Sequence, residues 1–310
     1  MQFDFDAAVT APFRMQPGLR RLAPGTAQLT PLAPGSRHQR EKLAVLSAFA
    51  GQALVSRAGF DPAPALQALC RQAAAEHPQH FQWDGQAATA MGVTVRDGQV
   101  LQQQAGVFGL GDELSRCVEL QPPAWRLPAL LALAFAEDIA IVDAADATVP
   151  WMAVALPSHW APEDKVGRHF AQIHAPVADA DLVRKAGEGL LRLVSGDERW
   201  ERFVWNVTDN PRLHTHPRRV DAARWGHEPA ARGLPRAWFR SERQTFIPVP
   251  GHGQSLFTIA VDVQLLPQVV DTPERARRLA DAVQTMSPAV LQYRGLTGVR
   301  DQLLDWLASR

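Results

Sequence analysis

The chain has 310 residues, of which 46% are hydrophobic and 21% charged, as in ordinary globular proteins with one large core. Its 32 basic and 32 acidic residues balance, so we do not expect a nucleic-acid partner, which would need a basic excess. No apolar run reaches the roughly 18 residues of a membrane span, and no secretory leader is visible. We therefore expect a cytoplasmic protein without a membrane partner.

The first part of the chain predicts an arm followed by helices. Residues 1–36 are rich in Pro and Gly and have little periodicity, which is typical of an extended arm. Apolar residues then recur at helical spacing from Arg40 to Arg57. Asp61-Pro62 predicts the start of a second helix, which continues to about Ala75.

The rest of the chain predicts one antiparallel sheet flanked by helices. The clearest hairpin pairs residues 238–249 with 255–263. Further strands are predicted at 91–95, from Val100, and at 139–142, 151–156 and 202–207. Further helices are predicted at 124–136, 183–194, from Thr272, and at 299–309. The predicted fold class is α+β, with a sheet of about five strands. One domain is expected over residues 1–310, with the sheet core at about 90–270.

Several common catalytic motifs are missing from the sequence. There is no Gly-x-Ser-x-Gly elbow and no His-Glu-x-x-His pair. Cys70 and Cys117 lack metal-ligand spacing and suit a reducing compartment; the alternative is a disulfide between them. The glycine-rich run from Gly106 to Gly111 does not match a phosphate-binding fingerprint and predicts a loop.

A possible metal site lies at His214 and His216. Two histidines with one residue between them share a face of an extended segment, and Asp209 and Asp221 are near in sequence. The alternative is a solvated loop without a metal, and the weak motif favours that interpretation.

The densest set of functional residue types lies between Ser158 and Val177, with three histidines, one tryptophan and one lysine. His174 precedes Pro176, which limits its conformations. A neutral imidazole on a rigid segment beside an apolar sheet can ligate haem iron. The alternative is a core histidine that donates to a backbone carbonyl.

A second polar run lies on the predicted strand at residues 238–249. Glu242 and Gln244 share one face of that strand, and Arg243 and Thr245 share the other. A buried Glu242 could hold a cationic amine while arginines grip an anionic cofactor. The alternative is ion pairing within the sheet face.

Five ordered motifs carry a family resemblance: Ala136-Glu137-Asp138-Ile139, Ser158-x-Trp160-x-Pro162-x-x-Lys165-x-Gly167, Ile173-His174-x-Pro176-Val177, Glu242-Arg243-Gln244-Thr245 and Leu256-Phe257-Thr258-Ile259. In this order, and over roughly residues 12–306, the chain resembles the haem-dependent oxidative N-demethylase-like proteins, also called the domain-of-unknown-function 3445 family.

The resemblance implies a fold and an activity. The fold would be a PAS-like antiparallel sheet with added helices, and the cofactor haem b. The activity would be a monooxygenase-type N-demethylation of a small secondary alkylamine, such as dimethylamine, with O2 and release of formaldehyde. Electrons would come from a partner reductase with flavin and iron–sulfur centres. The alternatives are a non-catalytic PAS-like sensor or carrier of haem or another small ligand, and a haem-free scaffold.

The resemblance also implies residue roles. His174 would be the proximal iron ligand. Glu242, because of its charge, would be the acid that holds the amine. The cofactor would further contact Lys165, Arg202, Trp205 and Arg243.

The chain departs from the family pattern in two places. Val204 stands where the family usually has Asn in an Arg-x-Asn-Trp motif, and Phe246-Ile247-Pro248 stands where basic residues are common. These changes bear on the propionate contacts and the distal pocket, and they indicate a divergent member.

Overall fold

The computed structural model of the protein describes residues 3–175, 178, 181–220, 225 and 236–310, with no side-chain description for 181–186. The α-helices of this part of the chain are α1 Phe5–Ala8, α2 Arg37–Ala48, α3 Ala50–Ala53, α4 Ala63–Glu76, α5 Glu113–Glu119, α6 Pro123–Ala134, α7 Phe170–His174, α8 Asp181–Val194, α9 Leu266–Val269, α10 Pro273–Gln284, α11 Pro288–Arg294 and α12 Arg300–Ala308. A short 3-10 helix spans Pro162–Asp164.

The strands of the described residues are β1 Arg20–Arg21, β2 Leu54–Ser56, β3 Phe81–Trp83, β4 Ala87–Ala90, β5 Val93–Arg96, β6 Gln99–Gln102, β7 Glu137–Asp143, β8 Thr148–Ala153, β9 Trp200–Thr208, β10 Trp238–Val249 and β11 Gln254–Leu265. The mixed α+β class predicted from the sequence is confirmed.

The larger sheet has seven antiparallel strands in the order β1-β9-β10-β11-β7-β8-β2, instead of the predicted five or so. The sequence patterns predict the five inner strands and miss both edges. β1 has only two residues and lies in the Pro- and Gly-rich arm. β2 has three residues that continue a helical stripe, so neither edge strand has an alternating pattern of its own.

The predicted strands at 91–95 and from Val100 belong to a separate sheet. They form β5 and β6, which pair with β3 and β4 in a four-stranded antiparallel sheet. The turn at Asp97-Gly98 joins β5 to β6, and both of its residues have positive φ, as a tight hairpin turn requires.

The predicted helices agree with the structure except in one place. The stripe from Arg40 to Arg57 forms two helices, α2 and α3, which Phe49 separates, and it is helical only to Ala53, because Leu54 then turns into β2 and pairs with Ala153 of β8. Helix α10 begins at Pro273, and the Thr272 hydroxyl accepts from the backbone N–H of Arg275 as its cap. No described helix is both long and apolar enough to cross a membrane.

The larger sheet packs on both faces. Helices α4 and α6 cover one face and share its apolar core with the small sheet. On the opposite face, residues of β7 and β8 pack against Leu191 and Val194 of α8. A further apolar core joins the C-terminal end of β9 and the N-terminal end of β10 to α10, α11 and α12. The space between the sheet and the α7–α8 pair contains the candidate site. The division of the chain into domains stays a prediction.

Candidate functional site: a cavity between the sheet and helices α7 and α8

A cavity of about 280 Å³ lies between the larger sheet and the α7–α8 pair. Its volume is near the lower end of the usual range for small-molecule sites. Its apolar wall comes from β7, β8, β11 and α8 and includes Ala140, Met152, Phe257 and Leu191. The N-terminal arm closes one side through Met15, Gln16, Pro17 and Leu19.

One face of β10 changes from apolar to polar along the strand. Phe246, Gln244 and Glu242 occupy alternate positions and therefore line the cavity together. Arg202 of β9 pairs with Gln244 in the antiparallel register and joins this face. Phe246 stacks on Phe257 of β11, with ring centroids 4.9 Å apart. The cavity therefore has an apolar floor at one end and charged groups at the other.

Helix α7 is held close to the sheet and to α8. The backbone N–H of Phe170 donates to the carbonyl of Ala147 at 2.8 Å, and the His169 side chain caps the helix with Gln172. A Cβ atom at Gly187 of α8 would lie 2.8 Å from the Phe170 ring. Only glycine at this position therefore lets the two helices approach as closely as they do.

His174 is the last residue of α7, and its imidazole lines the cavity. Its Nδ1 donates to the carbonyl of Phe170 at 2.9 Å; a carbonyl can only accept, so the proton is on Nδ1. Among the described residues, Nε2 has no hydrogen-bond partner. Burial lowers the pKa of His174 to about 4, and Lys165 and Arg202 act in the same direction. The imidazole is therefore neutral at pH 7 and can bind a metal through Nε2.

Two cations, Arg202 and Lys165, line the cavity. Neither of them lies at ion-pair distance from a carboxylate of the described residues. The Nε atom of Arg202 is buried and has no hydrogen-bond partner in the described part of the chain. The Nζ atom of Lys165 lies 4.2 Å from the centre of the Trp160 ring. Burial lowers the pKa of Lys165 to about 8, although Glu242 opposes the shift. Both cations are therefore available to an anionic ligand.

Glu242 is the carboxylate of this site, and its side chain is held from two sides. Only 8% of the residue is exposed. The Ser158 hydroxyl donates to one carboxylate oxygen, and the Gln244 amide donates to the other at 2.6 Å. The Ser158 oxygen in turn accepts from Nε of Arg240 at 2.8 Å. This chain of bonds fixes the orientation of the carboxylate.

Trp205 and Arg243, which the family resemblance assigns to the cofactor, do not line this cavity. The indole of Trp205 stacks on Phe239 and donates to the carbonyl of Ala8. The guanidinium of Arg243 lies on the opposite sheet face, where its Nε donates to Glu201 at 3.0 Å. The structure therefore brings together His174, Lys165, Arg202 and Glu242, and leaves the other two out.

Sequence reasoning misses other residues of the cavity. Tyr293 of α11 lines it from the C-terminal part of the chain, and residues 15–17 and 19 line it from the arm. Arg240, which supports Ser158, is fully enclosed, and burial lowers its pKa to about 10. Arg240 begins the polar run that the sequence shows on this strand, and that run is the signal that could have indicated this support.

The histidine pair at 214 and 216 makes contacts within the protein. The Nδ1 of His214 donates to the carbonyl of Ala155 at 2.7 Å, and His216 faces Glu163 at 3.1 Å. Within the described residues, no group of three or more His, Cys, Asp and Glu side chains is placed to hold a metal ion. Asp221, which the sequence suggested as a further ligand, and Pro176 beside His174 lie outside the described residues.

The comparison with known families gives one match. A profile described as haem-dependent oxidative N-demethylase, alpha subunit-like, matches residues 41–304, which is most of the chain and includes α7, β9 and β10. The family name indicates haem dependence and an oxidative demethylation. The chain therefore belongs to the haem-dependent oxidative N-demethylase alpha subunit-like family.

Proposed function

We propose that the protein binds haem b in this cavity through His174 and uses it to oxidise a small secondary alkylamine with O2. The family membership supports haem dependence and oxidative demethylation. The observation that carries the proposal for this chain is the imidazole of His174, which is neutral, held by a backbone carbonyl through Nδ1, and presents Nε2 to the cavity.

The hydrogen bond to Phe170 has a chemical role in this proposal. A histidine ligand usually donates its second ring N–H to a carbonyl or carboxylate, which fixes the tautomer and raises the basicity of the ligating nitrogen. The bond between His174 and Phe170 has this form. Both interpretations of His174 from the sequence, a carbonyl-bonded histidine and a haem ligand, are compatible in this geometry.

The rest of the cavity suits an amphipathic planar cofactor. The stacked rings of Phe246 and Phe257 and the aliphatic residues around them would contact the macrocycle. Arg202 and Lys165 would pair with the propionates, which would satisfy the buried Nε of Arg202. A porphyrin is larger than about 280 Å³, so haem binding would have to widen the cavity.

Glu242 would hold the substrate as its ammonium ion. Ser158 and Gln244 keep the carboxylate pointed along the cavity face, and the apolar wall excludes water around it. When the amine loses its proton, the carboxylate is the group placed to accept it. The bound haem would supply O2 activation.

The overall reaction is a two-electron oxygenation. One secondary methylamine, one O2, two electrons and two protons give the demethylated amine, formaldehyde and water. The oxidised carbon is the N-methyl group, and one oxygen atom goes to formaldehyde and the other to water. The sequence contains no flavin or iron–sulfur motif, so the two electrons would come from the proposed reductase partner.

The test measures O2 uptake and formaldehyde release by the haem-loaded protein with dimethylamine and a surrogate reductase. We expect Glu242→Gln to lower kcat/KM by about a hundredfold, since it removes a charge-assisted hydrogen bond and its ion pair. Glu274→Gln, on an exposed part of α10, is the matched control and should leave turnover unchanged. Haem binding without amine-dependent O2 uptake would instead favour a non-catalytic haem carrier or sensor.

A further inference from the structure

A second, polar chamber of about 170 Å³ adjoins the cavity at Glu242. Ser158, Lys165 and Glu242 line both spaces. The chamber extends from there to Asn206 of β9 and Arg294 of α11. The catalytic cavity therefore continues on the side of the amine-binding carboxylate, where a substrate larger than a dialkylamine would place the rest of its structure.

The charges that line this chamber are unbalanced among the described residues. Three cations, Lys165, Arg240 and Arg294, line it together with a single carboxylate, Glu242; with haem bound, a propionate would offset Lys165 and leave two cations against Glu242. A cationic amine bound at Glu242 would add a further positive charge to this space. Like charges at close range in such a space repel strongly, so the chamber favours a ligand that brings a negative charge with the amine.

Arg294 is the cation with unused hydrogen-bonding capacity. The residue is 8% exposed, and its Nε is buried with no hydrogen-bond partner among the described residues. Its guanidinium lies against two rings that contact each other edge to face, 4.5 Å from the centre of Phe13 and 4.9 Å from that of Trp205, and Nη1 donates to the carbonyl of Trp205. These contacts hold the plane of the guanidinium in place, as recognition of a carboxylate requires.

Asn206 supplies the complementary group. Its Nδ2 donates to the carbonyl of Arg294 at 3.1 Å, while its Oδ1 is buried and has no partner in the described part of the chain. An ammonium group has at least two N–H donors, of which Glu242 can accept one. The Oδ1 of Asn206 is an acceptor for another. Arg240 needs no ligand, because backbone carbonyls already accept from it.

We propose that the substrate is an N-methylated α-amino acid, whose ammonium binds Glu242 and whose carboxylate binds Arg294. This refines the proposed function, because it names the class of secondary amine, and the oxidation of that amine rests on the proposed function. The binding itself does not require haem or turnover.

The experiment measures equilibrium binding by isothermal titration calorimetry with the purified protein, with and without haem. The probes are N-methylglycine and N-methylisobutylamine, in which an uncharged isopropyl group replaces the carboxylate. We expect N-methylglycine to bind at least about tenfold more tightly, the value of one charge-assisted hydrogen bond. Arg294→Met should remove most of this preference. Arg277→Met, on the exposed face of α10, is the matched control.

Each outcome decides the proposal. Equal affinity of the wild-type protein for the two probes, or no binding of N-methylglycine, overturns it without reference to any variant. A preference that persists in folded Arg294→Met also overturns it. If Arg294→Met does not fold, the comparison of probes on the wild-type protein stands alone. A preference for N-methylglycine in a protein that binds no haem supports this inference and refutes the proposed function. Oxidation of dimethylamine by a protein that shows no preference for N-methylglycine supports the proposed function and refutes this inference.

Discussion

Replacement of His174 by Phe should remove a defined part of the pH dependence of stability. Burial lowers the pKa of His174 from 6.5 to about 4 in the folded protein. Between these values the unfolded chain binds more protons than the folded one, so folding stability falls as the pH is lowered. Over pH 7 to pH 5 the full shift corresponds to about 2 kcal/mol. The imidazole is partly exposed, so we reduce this to about 1 kcal/mol for solvent screening.

The assay is urea unfolding of the haem-free protein, followed by tryptophan fluorescence at pH 7 and pH 5. The wild-type protein should lose about 1 kcal/mol more free energy of unfolding between the two pH values than His174→Phe does. His38 and His214, whose pKa values burial also lowers, contribute equally to both proteins and cancel. An equal loss in the two proteins would show that His174 is not held neutral in the cavity.

Three further predictions concern Arg202 of the cavity, the close contact of α7 with α8, and the buried ion pair of Lys42 with Asp138, which lie 3.1 Å apart. Arg202→Met should leave the stability of the haem-free protein unchanged or higher, because it removes a buried unpartnered donor, and should weaken haem binding by about tenfold in a spectral titration. Gly187→Ala should weaken haem binding, because the new methyl group displaces α7 at Phe170. Gly189→Ala, which has no atom near its Cβ, should stabilise α8 by about 0.5–1 kcal/mol in urea unfolding. Equal effects of the two substitutions on haem binding would contradict the close contact of Gly187 with Phe170. Lys42→Met should lower the free energy of unfolding in urea by about 3–5 kcal/mol, because it leaves the buried carboxylate of Asp138 without its ion pair. A loss under 1 kcal/mol would show that this ion pair does not stabilise the fold.

The sequence predicts most of the sheet because its inner strands have strong local patterns. Apolar residues recur at every second position of β11, at Phe257, Ile259, Val261 and Val263, and β10 spans the residues predicted for it. No local pattern predicts that β5 and β6 belong to a separate small sheet. Pairing partners are set by tertiary packing, so the same alternating pattern fits either sheet.

Strand periodicity also explains which site residues come together. Glu242 and Gln244 are two residues apart and line the cavity, while Arg243 between them points to the other face. Arg202 and Trp205 are three residues apart, so a strand places them on opposite faces. The family resemblance names a set of candidate residues, and the geometry of the strands determines which of them line the cavity.

The parts of the site that sequence reasoning misses come from distant segments without a local signal. Arg294 and Tyr293 lie at the end of α11, about ninety residues after Asn206, and residues 15–17 and 19 come from the arm. Their approach to the cavity depends on the packing of α11 beside β9 and of the arm over β9. Neither contact follows from composition or periodicity.

The identity of the iron ligand is the central claim, and a haem titration followed by absorption spectroscopy tests it most directly. The wild-type protein and the control His252→Ala, which changes an exposed turn residue, should both develop a Soret band at one haem per chain. His174→Ala should lose that band or shift it to that of weakly bound haem, and added imidazole should restore it. A Soret band of His174→Ala identical to that of the wild-type protein would contradict the account.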